Sequence, residues 1–146
     1  MEIALRLREL ADDELHFAMQ ADPLQVATTV PARSRADFDA WIARIAADPS
    51  VTLRTITADG EMVGTINTFL IGEERFIGYR VATEHWRKGI GGEAVRLMVQ
   101  LDVSRPIYAT VLASNVASVR ALSRSGFVPA REQMSDDGPE VVLRLG

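Results

Sequence analysis

The sequence Glu-His-Trp-Arg-Lys-Gly-Ile-Gly-Gly-Glu-Ala-Val, at positions 84–95, is the stretch on which the prediction of the fold depends. It contains three glycines and lies between an apolar run at 76–82 and an amphipathic run at 94–101. This pattern predicts a strand, a glycine loop and a helix, in that order. Glycines leave the main-chain N–H groups of such a loop unobstructed, and the following helix adds the positive end of its dipole. The loop is therefore predicted to bind an anion, and phosphates suit it best.

Other interpretations of the glycine loop compete with this one. The simplest is a glycine-rich turn that only reverses the chain. A Walker loop fits poorly, because it ends in Gly-Lys-Ser/Thr, whereas Lys88 precedes the glycines. Residues 89–94 fit the dinucleotide-binding pattern, but residues 112–115 contain no acid where that pattern requires one, about twenty positions later.

A second motif supports a more specific interpretation. Residues 115–118 read Asn-Val-Ala-Ser, followed by Leu122 and by the pair Gly126 and Phe127. Residues 81–92 resemble the acetyl-CoA loop of the GNAT superfamily of N-acetyltransferases, and the second motif resembles the other cofactor-side segment of that family. The two motifs are spaced as the family spaces them, and the resemblance covers nearly the whole chain.

The resemblance implies that acetyl-CoA is the co-substrate. The main chain of Val81 and Thr83 would bind the pantetheine arm as if it were an added strand. The pyrophosphate would bind the loop amides, so Gly91→Val is expected to abolish acetyl-CoA binding without unfolding the protein, because a Cβ would obstruct the phosphates. The cofactor-binding residues implied in this way are Val81, Thr83, Arg87, Lys88, Gly89, Ile90, Gly91, Gly92 and Asn115.

The positions at which relatives carry acid–base groups are apolar in this chain. Leu122 stands where many family members have a tyrosine that protonates the leaving thiolate, and Phe76 stands where ribosomal-protein N-terminal acetyltransferases have a glutamate. No catalytic residue is assigned. Tyr79, Tyr108 and Ser118 are candidate proton donors, although packing in core strands would also account for the tyrosines and helix capping for the serine.

Charged residues near the motifs are open to two interpretations. Arg87, Lys88, Arg120 and Arg124 could include the partner of the outer phosphate of the cofactor, or could be solvated surface charges. His85 is expected to be a solvated loop residue rather than a base.

Composition limits the classes of function. The 146 residues and 16.0 kDa predict one domain, 1–146. The absence of cysteine excludes disulfides and a cysteine acyl-enzyme, so acetyl transfer would be direct. With only two histidines, His16 and His85, no metal site is predicted. No apolar run reaches membrane-spanning length and charges interrupt the first residues, so a cytoplasmic protein is expected.

The charge balance bears on the partners of the protein. A net charge of −4 and a pI of about 5.2 argue against nucleic acid as the main partner. The same balance mildly favours a cationic acceptor such as an amine.

Periodicity predicts helices and strands on both sides of the glycine loop. A first strand is expected at 3–8, followed by a helix that Asp12 caps and a helix that Ser34 caps. The residues expected to be buried by these helices are Leu15, Ala18, Met19, Phe38, Trp41, Ile42, Ile45 and Ala46. Trp41 is expected in the core rather than against a ligand. Residues 21–33 show little periodicity, and the resemblance implies that they help to form the acceptor site.

The remaining elements complete an α+β fold. Strands are expected at 51–57, 62–71 and 76–82, then a helix that buries Ala94, Leu97, Met98 and Leu101, a strand at 106–112, a helix capped by Asn115 or Ser114, and a closing hairpin that includes 140–145. The order β-α-α-β-β-β-α-β-α-β-β is that of the GNAT fold. It gives a mixed, mostly antiparallel sheet with one parallel βαβ crossover.

Taken with the resemblance, these patterns predict an N-acetyltransferase that moves an acetyl group directly from acetyl-CoA to a primary amine. The acceptor would be a small amine or a protein N-terminus, since Trp86 and the residues after the loop resemble the ribosomal-protein branch. The alternative is an acyl-CoA-binding module with little turnover, in view of Leu122 and Phe76. The open edges of such a sheet also allow a homodimer.

Overall fold

The computed structural model describes residues 1–26 and 32–146, and its centre is one seven-stranded sheet with the strand order β1-β2-β3-β4-β5-β7-β6. The strands are β1 Ile3–Leu7, β2 Thr52–Ala58, β3 Glu61–Ile71, β4 Glu74–Val81, β5 Ile107–Leu112, β6 Val128–Ser135 and β7 Gly138–Leu145. The helices are α1 Asp12–Ala21, α2 Pro23–Val26, α3 Arg35–Ala47, α4 Ile90–Leu101 and α5 Val116–Arg124, with a 3₁₀ turn at Thr83–His85. The predicted fold class is confirmed, and α2 is an addition to the predicted order.

The turn between β2 and β3 shows how local sequence sets the register of the sheet. Ala58 pairs with Glu61, so the loop consists of Asp59 and Gly60 alone. Both have positive φ angles, 50° and 87°, which is the conformation that a two-residue hairpin loop requires. The Ala-Asp-Gly sequence at 58–60, which is typical of a short hairpin loop, therefore forms one between the two predicted strands.

One pair of strands departs from full pairing, and this departure creates the site. Strands β4 and β5 run parallel, but they pair only at Arg75 with Ile107 and at Phe76 with Tyr108. Beyond these two pairs the strands separate, which leaves residues 77–81 of β4 without a paired neighbour on that side. A gap therefore opens in the sheet toward the carboxyl ends of both strands.

The two faces of the sheet carry different layers. Ile77 and Val81 of β4 pack with Val95 and Met98 of α4 in the main core. Because side chains alternate along a strand, the side chain of Arg80 lies on the opposite face, which carries α1 and α3. The gap is thus accessible from both layers.

The buried stripes of three helices differ from the predicted ones; in α3 the predicted Ala46 is exposed and Ile45 is only half-buried. Helix α1 buries its polar side chains Asp12, His16 and Gln20 together with Met19, whereas Ala18 is exposed. In α4, the predicted Ala94 and Met98 are buried together with Ile90, Val95 and Val99, but Leu101 is 49% exposed. A periodic pattern locates a helix more reliably than it selects which side chains are covered.

Asp12 does not cap α1 as predicted; it joins the helix to the sheet. Its carboxylate accepts two hydrogen bonds from the Arg6 guanidinium, at 2.8 and 2.9 Å, one from the Thr55 hydroxyl at 2.7 Å and one from the Glu9 amide at 2.8 Å. These contacts, with the guanidinium first, lower the pKa of Asp12 to about 2. Ser34, by contrast, caps α3 as predicted, because its hydroxyl accepts from the Asp37 amide at 3.2 Å.

Replacing Asp12 with asparagine should destabilise the protein. The carboxylate is only 7% exposed, so the loss of its ionic hydrogen bonds should lower the free energy of unfolding at pH 7 by about 2 kcal/mol. In the wild type this contribution is present above the ordinary pKa of Asp and is lost as the pH falls from about 4 to about 2, since the unfolded chain then binds more protons. Urea unfolding as a function of pH measures both effects.

The matched control for this variant is Glu14→Gln. Glu14 also pairs with an arginine, Arg35, at 2.7 Å, but both side chains are exposed. We expect no measurable change in its urea midpoint. An Asp12→Asn protein with the wild-type midpoint and the wild-type acid response would contradict the role assigned to this carboxylate.

Candidate active site

A cavity of about 1010 Å³ occupies the gap between β4 and β5. Tyr79 and Ser118 line it on the face that carries α4 and α5, and Trp41 and Arg80 line it on the face that carries α1 and α3. The cavity therefore passes through the sheet where β4 and β5 separate. A ligand bound on one face can meet a second ligand bound on the other.

The glycine loop lies at the α4 side of this cavity with its amides unused. Within residues 1–26 and 32–146, the main-chain amides of residues 87–92 donate no hydrogen bond. Those of Ile90, Gly91 and Gly92 belong to the first turn of α4, whose N–H groups have no partner inside the helix. This set of donors and the positive end of the helix dipole favour an anion.

Two residues give the loop its path. Gly89 has a φ of 77° and precedes the first residue of α4, so the backbone there is in the left-handed region that glycine tolerates. Arg87 is also left-handed, with a φ of 65°, although it has a Cβ. Such a conformation costs about 1 kcal/mol or more in a non-glycine residue, so the surrounding contacts must enforce it.

Gly91 and Gly92 have different neighbours. A Cβ added at Gly91 would lie 2.8 Å from the Cε2 atom of Tyr79, which is too close for the aromatic ring to remain in place. A Cβ added at Gly92 would lie 3.7 Å from the Cβ of Ala121, an ordinary contact. The structure thus gives a reason for glycine at position 91 that is independent of phosphates, and Gly91→Val would displace the Tyr79 ring as well.

Strand β4 presents its main chain to the gap at alternate residues. The amide of Ala82 bonds to the carbonyl of Val63 in β3, at 2.8 Å, so the main-chain groups of Tyr79 and Val81 point the other way, toward the gap. The Val81 carbonyl already accepts from the Gln25 amide at 2.6 Å and from the Trp86 indole at 2.8 Å. The groups that remain there are the Val81 amide and the main chain of Tyr79.

Thr83 and Gln25 connect the end of α1 and helix α2 to the chain segment before the glycine loop. The Thr83 hydroxyl donates to the Asp22 carboxylate at 2.8 Å, and Gln25 belongs to α2. Sequence reasoning missed Gln25, because it lies in the stretch without periodicity and no motif includes it. The rest of that stretch, residues 27–31, lies outside the described residues.

Two of the three candidate proton donors lie together. The hydroxyls of Tyr79 and Ser118 are hydrogen-bonded at 2.8 Å. Burial raises the pKa of Tyr79, and the bond to Ser118 opposes part of that rise, so Tyr79 stays protonated at neutral pH. Asn115 caps α5 as predicted, because its side chain accepts from the Ser118 amide at 3.2 Å. The cap therefore fixes the position of Ser118.

The other candidate acid–base residues do not join this pair. Tyr108 packs against Phe76, with ring centroids 5.6 Å apart. Leu122 and Phe76 are buried, at 1% and 6% exposure, and offer only hydrocarbon. His85 lines the cavity, half-buried, with its Nε2 atom 3.8 Å from a carboxylate oxygen of Glu84.

Arginines line the cavity in two groups. Arg87, Arg120 and Arg124 lie near the glycine loop and α5, whereas Lys88 does not line the cavity. On the opposite face, the Arg33 guanidinium lies 4.2 Å from the centroid of the Trp41 ring.

Trp41 and His16 form the aromatic part of the second wall. The prediction that Trp41 packs in the core is correct for only part of its surface: its ring contacts Phe38, with centroids 5.9 Å apart, but it is half-buried and lines the cavity. His16 lies edge-on to Trp41, with centroids 5.6 Å apart. Burial, and then the nearby Arg80, lower the pKa of His16 to about 4, so the imidazole is neutral at pH 7.

Two structural features are absent from the described part of the chain. No helix there is long and apolar enough to cross a membrane. No cluster of three or more histidine, aspartate or glutamate side chains there could hold a metal ion.

Known proteins are similar to this chain in sequence. The family model described as "Acetyltransferase (GNAT) domain" matches residues 3–128. A probable N-acetyltransferase, YjcK, from Bacillus subtilis (strain 168) is 38% identical over 79 residues, which cover 48% of this chain and 43% of that protein. An uncharacterized N-acetyltransferase from the same organism, YoaA, is 36% identical over 75 residues, 46% of this chain and 42% of that protein. The matched region thus spans less than half of either curated relative.

Solved structures share the fold. Aminoglycoside acetyltransferase AAC(6')-Ib in complex with coenzyme A has a TM-score of 0.83 at 21% identity, over 99% of this chain and 94% of the other. Spermidine N-acetyltransferase from Vibrio cholerae in complex with CoA and spermine has a TM-score of 0.84 at 14% identity, over 98% and 94%. Since the family model covers most of the sequence and these folds agree along nearly the whole of it, the chain belongs to the GNAT acetyltransferase family.

Proposed function

We propose that this protein transfers an acetyl group from acetyl-CoA directly to a primary amine. The observation that carries the proposal is the set of unused amides at residues 87–92, at one mouth of a cavity that crosses the sheet beside an unpaired edge of β4. The unused amides suit a diphosphate, and the unpaired edge of β4 suits an extended arm that contains amides. Family membership supports the same function.

The cofactor would be held by main-chain groups. The amides of residues 87–92 would bind the pyrophosphate, while Arg87, Arg120 and Arg124 surround the same end of the cavity with positive charge. The pantetheine arm would pair with the gap-facing main chain of Tyr79 and with the amide of Val81, since the Val81 carbonyl is already occupied. When bound, acetyl-CoA supplies an activated acetyl thioester.

The Tyr79–Ser118 pair is our proposal for the proton donor. The leaving thiolate has to gain a proton, and the positions occupied by tyrosine and glutamate in relatives are Leu122 and Phe76 here. Tyr79 is protonated and bonded to Ser118, so a proton that leaves the Ser118 hydroxyl can be replaced from Tyr79. The helix cap at Asn115 holds Ser118 in place.

The acceptor would enter from the face that carries α1 and α3. Trp41, His16 and Arg80 line the cavity there, and the glycine loop lies on the other face. A protein N-terminus, as in the ribosomal-protein branch, and a small amine both stay within this proposal. A homodimer also stays a prediction; β1 and β6 are the open edges of the sheet.

Release of free CoA thiol from acetyl-CoA tests the function. With a panel of primary amines, we expect thiol release that depends on the amine and saturates with acetyl-CoA, together with the acetylated amine by mass spectrometry. Acetyl-CoA binding by calorimetry without amine-dependent thiol release would favour the alternative of an acyl-CoA-binding module, which the buried Leu122 and Phe76 support.

Substitution of Gly91 separates two explanations for the glycine. Gly91→Ala should weaken acetyl-CoA binding about tenfold, because the new Cβ displaces the Tyr79 ring and overpacking of this kind costs roughly 1–3 kcal/mol. If the ring is the obstacle, Gly91→Ala combined with Tyr79→Val should recover most of the affinity in calorimetry. If the Cβ obstructs the phosphates, the double variant should stay weak.

The control for this experiment is Gly92→Ala, whose Cβ would make only an ordinary contact with Ala121. It should leave the melting temperature unchanged. Wild-type affinity in Gly91→Ala would show that the close approach of Gly91 to Tyr79 does not matter for binding.

Removal of either hydroxyl of the donor pair should slow the chemical step. Tyr79→Phe and Ser118→Ala should each lower kcat about 100-fold, with little change in KM for acetyl-CoA, because general acid catalysis contributes roughly 10²–10⁴-fold. Since the two hydroxyls act as a unit, the double variant should be no slower than the slower single variant. Tyr108→Phe is the control and should retain wild-type kcat; additive losses in the double variant would argue against a shared proton path.

A further inference from the structure

The acceptor side of the cavity has a basic wall. Arg33 and Arg80 both line it and both are half-buried. Burial lowers the pKa of Arg80, and the positive charge of Arg33 lowers it further, so the two guanidiniums are close enough to repel each other. Arg33 also lies over Trp41, which fixes its direction relative to the cavity.

The carboxylates of the neighbouring elements are engaged with other groups. Asp12 pairs with Arg6 at 2.8 Å, Asp13 with Arg8 at 2.5 Å and Glu14 with Arg35 at 2.7 Å, while Asp22 accepts from Thr83 at 2.8 Å. Asp37 attracts Arg33, but it is exposed and does not line the cavity. None of these five acids is among the residues that line the cavity, so they leave its wall basic.

His16 adds a neutral polar group to this wall. Its pKa of about 4 keeps the imidazole uncharged at pH 7, and its Nε2 atom lies 3.5 Å from the Thr65 hydroxyl. Among the described residues that line this wall, the positive charge is therefore that of Arg33 and Arg80. A ligand group that contacts both guanidiniums would bind most strongly if it were an anion with two oxygens, because guanidiniums form paired hydrogen bonds with the two oxygens of a carboxylate.

The other side of the gap carries the opposite charge. Glu140 and Asp137 are the acids among the described residues that line the cavity. Glu140 pairs with Leu112 of β5, and Tyr108 of β5 pairs with Phe76 of β4, so by strand alternation Glu140 lies on the same face of the sheet as Arg80. A ligand that spans the gap on this face thus meets a basic group on one side and an acidic group on the other.

We propose that the acceptor is a small zwitterionic amine, an amino acid or a close derivative of one, whose carboxylate binds Arg33 and Arg80 while its amine faces the gap between β4 and β5. This inference rests on the proposed acetyl transfer and names its substrate class. It departs from the expectation of a simple cationic acceptor that the net charge of the chain favours. A polyamine would bring a second ammonium group against two guanidiniums and would be repelled.

The reaction balances without any further reactant. The ammonium group loses one proton before attack, its nitrogen forms a bond to the acetyl carbonyl carbon and then loses a second proton to water, and the bond from that carbon to sulfur breaks. The sulfur leaves with the electron pair and takes a proton from the Tyr79–Ser118 pair, which regains one from solvent. The products are an N-acetylated carboxylic acid, free CoA and one proton.

The test compares matched acceptors that differ only in the carboxylate. The twenty common amino acids and their carboxamides are assayed for thiol release, with spermidine and kanamycin as polycations, and binding of the same ligands to the CoA-saturated protein is measured by calorimetry. We expect at least one amino acid to exceed its carboxamide about tenfold or more in kcat/KM, as expected for a carboxylate bound by charged donors. Equal or better use of carboxamides or polycations would overturn the inference, as would a failure of every amino acid to bind.

Variants locate the selectivity in the basic wall. Arg33→Gln should remove most of the preference for the amino acid over its carboxamide, and Arg33→Glu should reverse it and improve the use of spermidine. Arg44→Gln, which removes the same charge from an exposed site on α3 that does not line the cavity, should keep the wild-type preference. A preference unchanged by Arg33→Glu, in a variant with the wild-type melting temperature, would overturn the assignment.

The outcomes separate this inference from the function on which it rests. Acetyl-CoA binding without thiol release for any amine would reject the proposed acetyl transfer. Thiol release confined to amines without a carboxylate would reject only the substrate class. Calorimetry gives an independent result for the basic wall in either case, because it detects amino acid binding without turnover.

Discussion

The separation of β4 and β5 after two residue pairs is the constraint on which the site depends. A strand edge that loses its neighbour has main-chain donors and acceptors that must find other partners. In β4, Gln25 and Trp86 satisfy the Val81 carbonyl, while the main chain of Tyr79 and the Val81 amide face the cavity. The same separation lets the cavity cross the sheet, so that the glycine loop on one face and Arg80 on the other line a single space.

The parts of this arrangement that the sequence predicts are those encoded over short distances. The glycine loop, the hairpin at Asp59 and Gly60, and the caps at Ser34 and Asn115 all follow from local backbone preferences, and the structure contains each of them. The fold class follows from their order. A family resemblance also rests on short-range patterns, so the sequence predicts the face of the site with the glycine loop better than the face that carries α1 and α3.

The parts that the sequence does not predict depend on contacts between distant residues. Asp12 is of a residue type that commonly caps helices, but it forms buried hydrogen bonds with Arg6 and Thr55 of the sheet instead. Trp41 has the helical spacing of a core residue, yet part of its ring lines the cavity, next to the Arg33 guanidinium. Nor does a net charge of −4 indicate the charge of one cavity wall, since the carboxylates near Arg33 and Arg80 are engaged elsewhere. Contacts of this kind depend on the tertiary structure and produce no periodic pattern in the sequence.

The contact between Gly91 and Tyr79 also bears on how such a sequence can change over time. The aromatic ring fills the volume that a side chain at position 91 would need, so no larger residue can be accepted there while the ring remains. A smaller residue at position 79 would have to come first, and it would remove the hydroxyl that meets Ser118. Drift at these two sites is therefore coupled, and the permitted order of mutations passes through an intermediate that lacks the phenol.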